Sequence, residues 1–306
     1  MLTVFGSINL DLSMQIERLP SPGETLLGAD ALVTPGGKGA NQAHAAALFG
    51  VPTRMHGMVG EDGFAGSALA SLVADGVRTS GVGTAKSRST GLAVVTVDRT
   101  GENAIVVAPG ANLYARAEQV SDDALAGTRV LLLQLEVPQR ESIALARRAK
   151  RLGCLVIMNA SPMPSDFHVD ADEVDMLIVN RSELAQLCAQ HSLAAADPRA
   201  DAEWVAQAMA IDILVTLGAG GSILARRDAS VVEVSASPVR VVDTTGAGDT
   251  YAGVFAAALA SGESAQSAME SASEAAGLAC MRSGAQAAQP NREQIEAALA
   301  KRRMQG

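Results

Sequence analysis

The sequence predicts an α/β fold: a largely parallel sheet covered by helices on both faces. Three observations carry this. Short apolar runs read as buried strands, and they alternate with longer Ala-rich segments of helical period. Polar motifs stand just after several of those runs, and open α/β sheets bind their ligands outside the carboxyl ends of the strands. The apolar fraction of 48% is enough for a sizeable core, and with aromatics at only 3% that core must be mostly Ala, Val, Leu and Ile.

In chain order, strands are expected at 2–5, 130–135, 155–159, 176–179 and 213–216. Helices are expected at 39–49, 65–75, 140–152, 183–190, 202–209, 250–260, 265–281 and 292–303. Two regions break the pattern, at about 12–35 and 91–108. They alternate apolar with polar residues and carry turn signals, Pro20-Ser21-Pro22-Gly23 and Asp98-Arg99-Thr100-Gly101. They read as antiparallel strands and hairpins forming a small β-lid, inserted in two excursions into a single domain of 306 residues.

Composition narrows the function. A net charge of −9 speaks against nucleic-acid binding, which needs a concentrated basic surface. Cys154, Cys188 and Cys280 are widely spaced and odd in number, so they read as buried small residues rather than a disulfide framework. The N-terminus starts directly as a strand without a basic signal-peptide region, and no window is apolar enough to span a membrane. A cytoplasmic protein is expected. His44, His56, His168 and His191 are scattered, and Trp204, at helical spacing with Val205 and Ala208, reads as a packing residue.

The most informative segment is Asp243-Thr244-Thr245-Gly246-Ala247-Gly248-Asp249, followed by a helical run. Its glycine-rich turn opens a helix whose first N–H groups lack partners, so an anion fits there. A carboxylate at the same spot can take a proton from an attacking hydroxyl. The pair points to phosphoryl transfer to an alcohol.

Other motifs are individually weaker. Gly36-Gly37-Lys38-Gly39-Ala40-Asn41-Gln42 lets backbone approach a ligand closely, or is a plain turn with a surface lysine. It is not a Walker A loop, because Leu32 and Gly39 stand where Gly and Ser or Thr belong. Asn9 and Asp11 after the first strand suit a polyhydroxylated ligand, or simply a turn. Glu136 leaves a carboxylate at a strand end. Glu183 could hold Mg²⁺ through water, or form a capping box with Asn180. Thr216-Leu217-Gly218-Ala219-Gly220-Gly221 reads as a nucleotide-facing turn or a hairpin. Tyr251 stands where the third glycine of a dinucleotide loop belongs, which counts against a nicotinamide oxidoreductase.

In this order the segments resemble the ribokinase family of sugar kinases, also called the phosphofructokinase-B type. The resemblance runs from Val4 to about Pro290. Gly36–Ala43 and Asp243–Asp249 look like the family's two hallmark segments, and Val59-Gly60-Glu61-Asp62-Gly63-Phe64 fits another common stretch. Gly101-Glu102-Asn103-Ala104-Ile105 with Pro109-Gly110-Ala111-Asn112 is most similar to the ribose-specific branch.

The resemblance implies a ribokinase-like three-layer sandwich with a β-lid, and lids that clasp between two subunits of a homodimer. It implies ATP, Mg²⁺ and a monovalent cation, usually K⁺. By similarity Asn9, Asp11, Gly37, Lys38, Asn41 and Glu136 would bind the sugar. Asn180, Thr216, Leu217, Gly218, Ala219, Gly220, Gly221 and Gly248 would contact ATP, and Glu183 would support Mg²⁺. Gly246, Ala247 and Gly248 would supply N–H groups to the transferring phosphoryl, with Asp249 as the base. Asp243 and the backbone at Thr245, Ala279, Arg282 and Gly284 would surround the cation. Two departures stand out: Ala288 replaces a frequent Ser at the cation, and Ser273 a frequent Asn or His at the nucleotide. The expected reaction is transfer of the ATP γ-phosphoryl to O5 of D-ribose. Alternatives are a family member acting on deoxyribose, a nucleoside or a ketohexose, and a non-catalytic sugar-binding protein.

Overall fold

The computed structural model of the chain describes residues 1–99 and 103–305. Strand β1 (Leu2–Phe5) is followed by β2 (Asn9–Gln15), β3 (Leu32–Gly36), helix α1 (Lys38–Leu48), β4 (Thr53–Gly60), α2 (Ala65–Ala74) and β5 (Arg78–Ala85). Then come β6 (Gly91–Val97), β7 (Asn103–Ala108), short α3 (Asp122–Ala126), β8 (Val130–Leu133), α4 (Gln139–Arg151), β9 (Leu155–Asn159) and β10 (Met176–Asn180). The chain continues through α5 (Arg181–Gln190), α6 (Pro198–Met209), β11 (Asp212–Thr216), β12 (Ser222–Ala225) and β13 (Val231–Val234). It ends with α7 (Ala247–Ser261), α8 (Ala265–Ala279) and α9 (Arg292–Gln305).

The main sheet has nine strands in the order β13-β12-β11-β10-β9-β8-β1-β4-β5. From β11 to β5 every neighbouring pair is parallel, while β12 and β13 are added antiparallel at one edge. The apolar runs are continuous because both faces are covered. Side chains alternate between faces, so each strand feeds two cores. Leu132, Ile157, Ile178 and Leu214 join one core with α1, α7 and α8. Their neighbours Leu131, Leu133, Met158, Leu177, Val179 and Val215 join the other, with α4, α5 and α6. This is the expected α/β sandwich.

Small residues bring α1 and α7 together. A Cβ on Gly253 would stand 2.4 Å from the Gln42 carbonyl oxygen and 2.9 Å from the Ala45 Cβ. Glycine there sets the spacing between the two helices that carry the site.

A second sheet holds β3-β2-β6-β7. It uses residues from both expected excursions, with one difference: β2 and β6 pair in parallel, not antiparallel. Both strands lead outward from the body and β3 and β7 return, so the two outward strands meet side by side. The turn signal at Thr100-Gly101, and Gly101 and Glu102 of the ribose-branch stretch, lie outside the described residues.

Other expectations shift. Strands β4, β5 and β13 were not predicted. The first two carry Arg54, His56 and several glycines, and these mask the apolar signal. The first of the later strands stops at Leu133, two residues early. Helix α6 starts at Pro198 behind an Asp197 cap whose side chain accepts from the N–H groups of Arg199 and Ala200. Trp204 is not a core residue: it is 41% exposed and meets His191 edge-on. Cys154 and Cys188 are buried, and Cys280 is partly so.

Candidate active site

The turn at 243–249 does open a helix. Gly246 precedes α7 with φ 72°, a left-handed conformation that suits glycine, and Asp249 sits in the first turn. The carboxylate is buried and held from both sides. Its Oδ2 accepts from Asn41 Nδ2 at 2.9 Å, and its Oδ1 accepts from Gln42 Nε2 at 3.0 Å. Both donors stand near the start of α1, on the hallmark segment that begins at Gly36. The two most telling sequence segments therefore meet, 208 and 207 residues apart in the chain.

Neither amide is free to turn alone. Gln42 Nε2 also donates to Asn159 Oδ1 at 3.1 Å, and Gln42 Oε1 accepts from Gln134 Nε2 at 2.6 Å. Asn41 Oδ1 accepts from Gln286 Nε2 at 3.0 Å, and its carbonyl accepts from Gln289 Nε2 at 3.0 Å. Gln289 in turn meets buried His44, whose other ring nitrogen lies 2.8 Å from Asp75. Sequence reasoning missed Gln42, Asn159, Gln286 and Gln289. The one available signal was Gln42 beside Asn41 in a helix of alanines.

A cluster of charge surrounds the base. The Asp11 carboxyl is pushed up to about 6, first by burial and then by the negative charges of Glu136 and Asp249. Burial pulls the Lys38 ammonium down, but Asp249, Glu136 and Glu183 outweigh that and raise it. Asp11, Lys38, Glu136 and Asp249 thus act on one another as one site. Asn9 and Asp11 share a face of β2, two residues apart. Gly36 makes room for Asp11, since a Cβ there would fall 2.3 Å from Asp11 Oδ2. Gly37, with φ 88°, precedes Lys38 at the start of α1. Glu136 also serves the fold. Its Oε2 accepts from Ser7 Oγ at 2.5 Å and from the Lys38 N–H at 3.1 Å, so it caps α1.

The turn's own N–H groups are unequal. Ala247 N–H donates to the Thr244 carbonyl at 3.2 Å, while a Cβ on Gly248 would meet open space. Gly248 is exposed, so a ligand can approach its backbone closely.

On the neighbouring strand ends, Asn180 and Thr216 stand side by side in register. Asn180 and Glu183 form the capping box: Asn180 Oδ1 accepts from the Glu183 N–H at 2.9 Å, and Glu183 Oε2 accepts from the Asn180 N–H at 2.8 Å. One Glu183 oxygen is spent there. Segment 216–221 is the hairpin between antiparallel β11 and β12, closed by Leu217 N–H on the Gly221 carbonyl. Gly218 (φ 57°), Ala219 and Gly220 form its single tight turn. Gly221 is required in its place: φ is 88°, and a Cβ would lie 2.0 Å from the Val234 carbonyl oxygen. Ser273 is buried within α8.

Behind the turn, burial raises the Asp243 carboxyl, but N–H donors overcome this and hold it below the usual carboxylate range. Gly284 N–H reaches Oδ2 and Thr245 N–H reaches Oδ1, each at 2.9 Å. The Ala279 carbonyl accepts from Arg282 N–H at 3.1 Å. Ala288 is buried and offers only a methyl group. Among the described residues no group of three or more His, Cys, Asp or Glu side chains could cage a metal.

A family model described as pfkB family carbohydrate kinase matches residues 1–292. The chain belongs to that family. As a pfkB-type sugar kinase it is a phosphotransferase with an alcohol acceptor. It is 35% identical to a ribokinase of Arabidopsis thaliana, over 96% of this chain and 79% of that protein. It is 32% identical to a ribokinase of Haemophilus influenzae, over 96% of each. Among solved structures, a ribokinase of Thermotoga maritima matches with a TM-score of 0.88 and 30% identity, covering 98% of this chain and 99% of that one. The Arabidopsis ribokinase, solved in complex with ribose and ATP, matches with a TM-score of 0.87 and 34% identity, over 97% and 98%. These likenesses agree with the three-layer fold.

Proposed function

We propose that the protein is an ATP-dependent ribokinase that phosphorylates O5 of D-ribose, giving D-ribose 5-phosphate and ADP. The observation that carries this is the buried Asp249 carboxylate, held by Asn41 and Gln42 at the glycine turn that opens α7. The ribokinase names of its relatives support ribose as the sugar.

Asp249 takes the proton of the attacking hydroxyl. Each of its oxygens spends one lone pair on an amide and keeps another for the sugar. Phosphoryl transfer passes through a loose transition state, so the proton need only leave late and a carboxylate is base enough. Asn9, Asp11, Asn41 and the Gly37-Lys38 backbone orient the sugar. Lys38 offsets the acids that crowd the site. Gly246, Ala247 and Gly248 meet the transferring group with N–H donors. Asn180, the hairpin 216–221 and the region of Ser273 receive the nucleotide.

Glu183 fits a role towards Mg²⁺ through water, since its second oxygen remains and Mg²⁺ takes few protein carboxylates. Bound Mg²⁺ supplies charge neutralisation on the phosphates. The backbone carbonyls of Thr245, Ala279, Arg282 and Gly284, near Asp243, would hold K⁺, which would order the turn. Ala288 subtracts one hydroxyl ligand from that set.

We read residues 1–306 as a single domain with the four-stranded sheet, about 12–35 and 91–108, as a lid that excludes water. That sheet exposes Leu32, Val33, Ile105, Val106 and Val107. These apolar side chains lie on both faces of the sheet, and such exposed apolar surface fits a homodimer clasped lid to lid; a single monomeric species in sedimentation at micromolar protein would remove this reading. No helix among the described residues is long and apolar enough to cross a membrane, and dependence on ATP suits the cytoplasm.

The test is a panel of ribose, deoxyribose, nucleosides and ketohexoses, followed by ADP release, with and without K⁺. Ribose is expected to give the highest kcat/KM, and K⁺ to raise the rate above that in Na⁺ or a bulky organic cation. Preference for another sugar would reassign the substrate, absence of turnover with all would favour a binding protein, and equal rates in all cations would sink the K⁺ site.

A further inference from the structure

Asn112 follows the end of β7 and is 1% exposed. Its amide is pinned by backbone. Asn112 Oδ1 accepts from the Ile8 N–H at 2.9 Å. An N–H can face only an acceptor, so this end of the amide is oxygen and the other end is NH₂. That NH₂ donates to the Ile8 carbonyl at 3.3 Å and to Asn9 Oδ1 at 2.7 Å. The same reasoning passes one step on. Because Asn9 meets an NH₂, the group it turns to Asn112 is its oxygen, and its own NH₂ is left facing the other way.

The fit leaves no slack. A Cβ on Gly91 would stand 2.0 Å from Asn9 Oδ1 and 2.4 Å from Asn112 Nδ2, so glycine is what lets the two amides meet. Asn9 pairs with Gly36 on one side and Gly91 on the other, at the root of the smaller sheet.

We propose that Asn112 is a positioning residue for sugar recognition: it fixes the Asn9 amide so that Asn9 offers the sugar a donor, beside the acceptor Asp11. This rests on the reading of Asn9 as a sugar-binding residue. A hydroxyl carries one hydrogen and two lone pairs, so an acceptor beside a donor engages both its hydrogen and a lone pair. Two acceptors would compete for its single hydrogen. Asn112 thus determines whether the Asn9–Asp11 pair matches a hydroxyl.

The test is a double-mutant cycle on the KM for D-ribose. Asn112→Asp keeps the acceptor for Ile8 but replaces the NH₂ with oxygen, so Asn9 must turn its NH₂ inward and show the sugar a carbonyl. KM for ribose is expected to rise at least about tenfold, the scale of one lost polar match, while kcat at saturating ribose changes less. In an Asn9→Ala background the same substitution is expected to move KM less than about twofold, since its route to the sugar is gone. A purely structural role would give the same KM factor in both backgrounds and would overturn the proposal. If Asn9→Ala alone leaves KM unchanged, the sugar role of Asn9 falls, and the proposal with it. If Asn112→Asp does not fold, as judged by its thermal melt, Asn9→Asp decides. It keeps the bond from Asn112 and shows the sugar an oxygen, so its KM is expected at or above that of Asn9→Ala; a wild-type KM would overturn the proposal.

Discussion

Replacing Asp249 by Asn exchanges one carboxylate oxygen for NH₂ and removes the proposed base. The structural cost follows from the amide network. One of the two donors, Asn41 Nδ2 or Gln42 Nε2, would then face the new NH₂. Gln42 resists turning, because it is fixed by Asn159 at one end and Gln134 at the other. Asn41 has a way out. If it turns, Gln286 must turn with it, and the chain of bonds ends at Ser71, whose hydroxyl now donates to Gln286 Oε1 and can accept instead. Both contacts to residue 249 then survive as neutral bonds. Charge-assisted bonds are about twice as strong as neutral ones, so two such losses cost about 1–3 kcal/mol in total. That is a fraction of the roughly 5–15 kcal/mol of a typical domain, and the fold should persist.

The catalytic cost is larger. Loss of a general base removes at least about two orders of magnitude in kcat, equivalent to about 2.7 kcal/mol. The assay has three arms: thermal melting, calorimetric ribose binding, and ADP release under saturating substrates. The expected pattern is a melt lowered by a few degrees, binding retained and turnover nearly lost. Turnover within about threefold of wild type would refute the role of Asp249, since no acid–base contribution is that small.

Asp11 gives a pH prediction. Its carboxyl is raised to about 6 in the fold, so the folded state binds the extra proton between the ordinary carboxylate value and about 6. Stability therefore falls as pH rises through that window and stays lower above it. Asp11→Asn is expected to melt higher than wild type at about pH 8, with the gap closing towards about pH 4, and a pH-independent gap would contradict this. Ribose KM of the wild type should rise below about pH 6 as the acceptor is protonated, whereas that of Asp11→Asn should stay flat. Gly253→Ala is expected to destabilise, although alanine favours helices by about 1 kcal/mol, because its Cβ meets the Gln42 carbonyl. It should lower kcat as well, by moving Gln42 off Asp249; an unchanged melt and rate would show that α1 can yield. Gly221→Ala should lower the melt through its left-handed φ and the collision with Val234, and nucleotide KM should rise with it; a wild-type melt would count against that strain.

How much of this was legible beforehand depends on the range of the interaction. The strands of the central sheet declared themselves because burial on both faces leaves a continuous apolar run. Strands β4 and β5 did not, because Arg54, His56 and Gly81 interrupt the run, and Gly81 is there to make room for the His56 ring. Asp249 and the glycine turn were readable as local chemistry: a helix start is set by neighbours in the chain. The capping box at Asn180 and Glu183 was readable for the same reason, and it formed.

What holds Asp249 was not readable. Asn41, Gln42, Gln286 and Gln289 become one network only after α1 packs on α7 and the chain end returns beside them. Amides are mute in sequence, since each can donate or accept and only its partners fix which. The Ile8 N–H fixes Asn112, Asn112 fixes Asn9, and so a backbone donor just after β1 determines which face a sugar would meet. Polarity at this site is therefore a property of the order in which amides are pinned, and the pinning starts from backbone. A substitution at the pinned end should reach the ligand through every amide between them, whereas one at a free end should stop at its own bond.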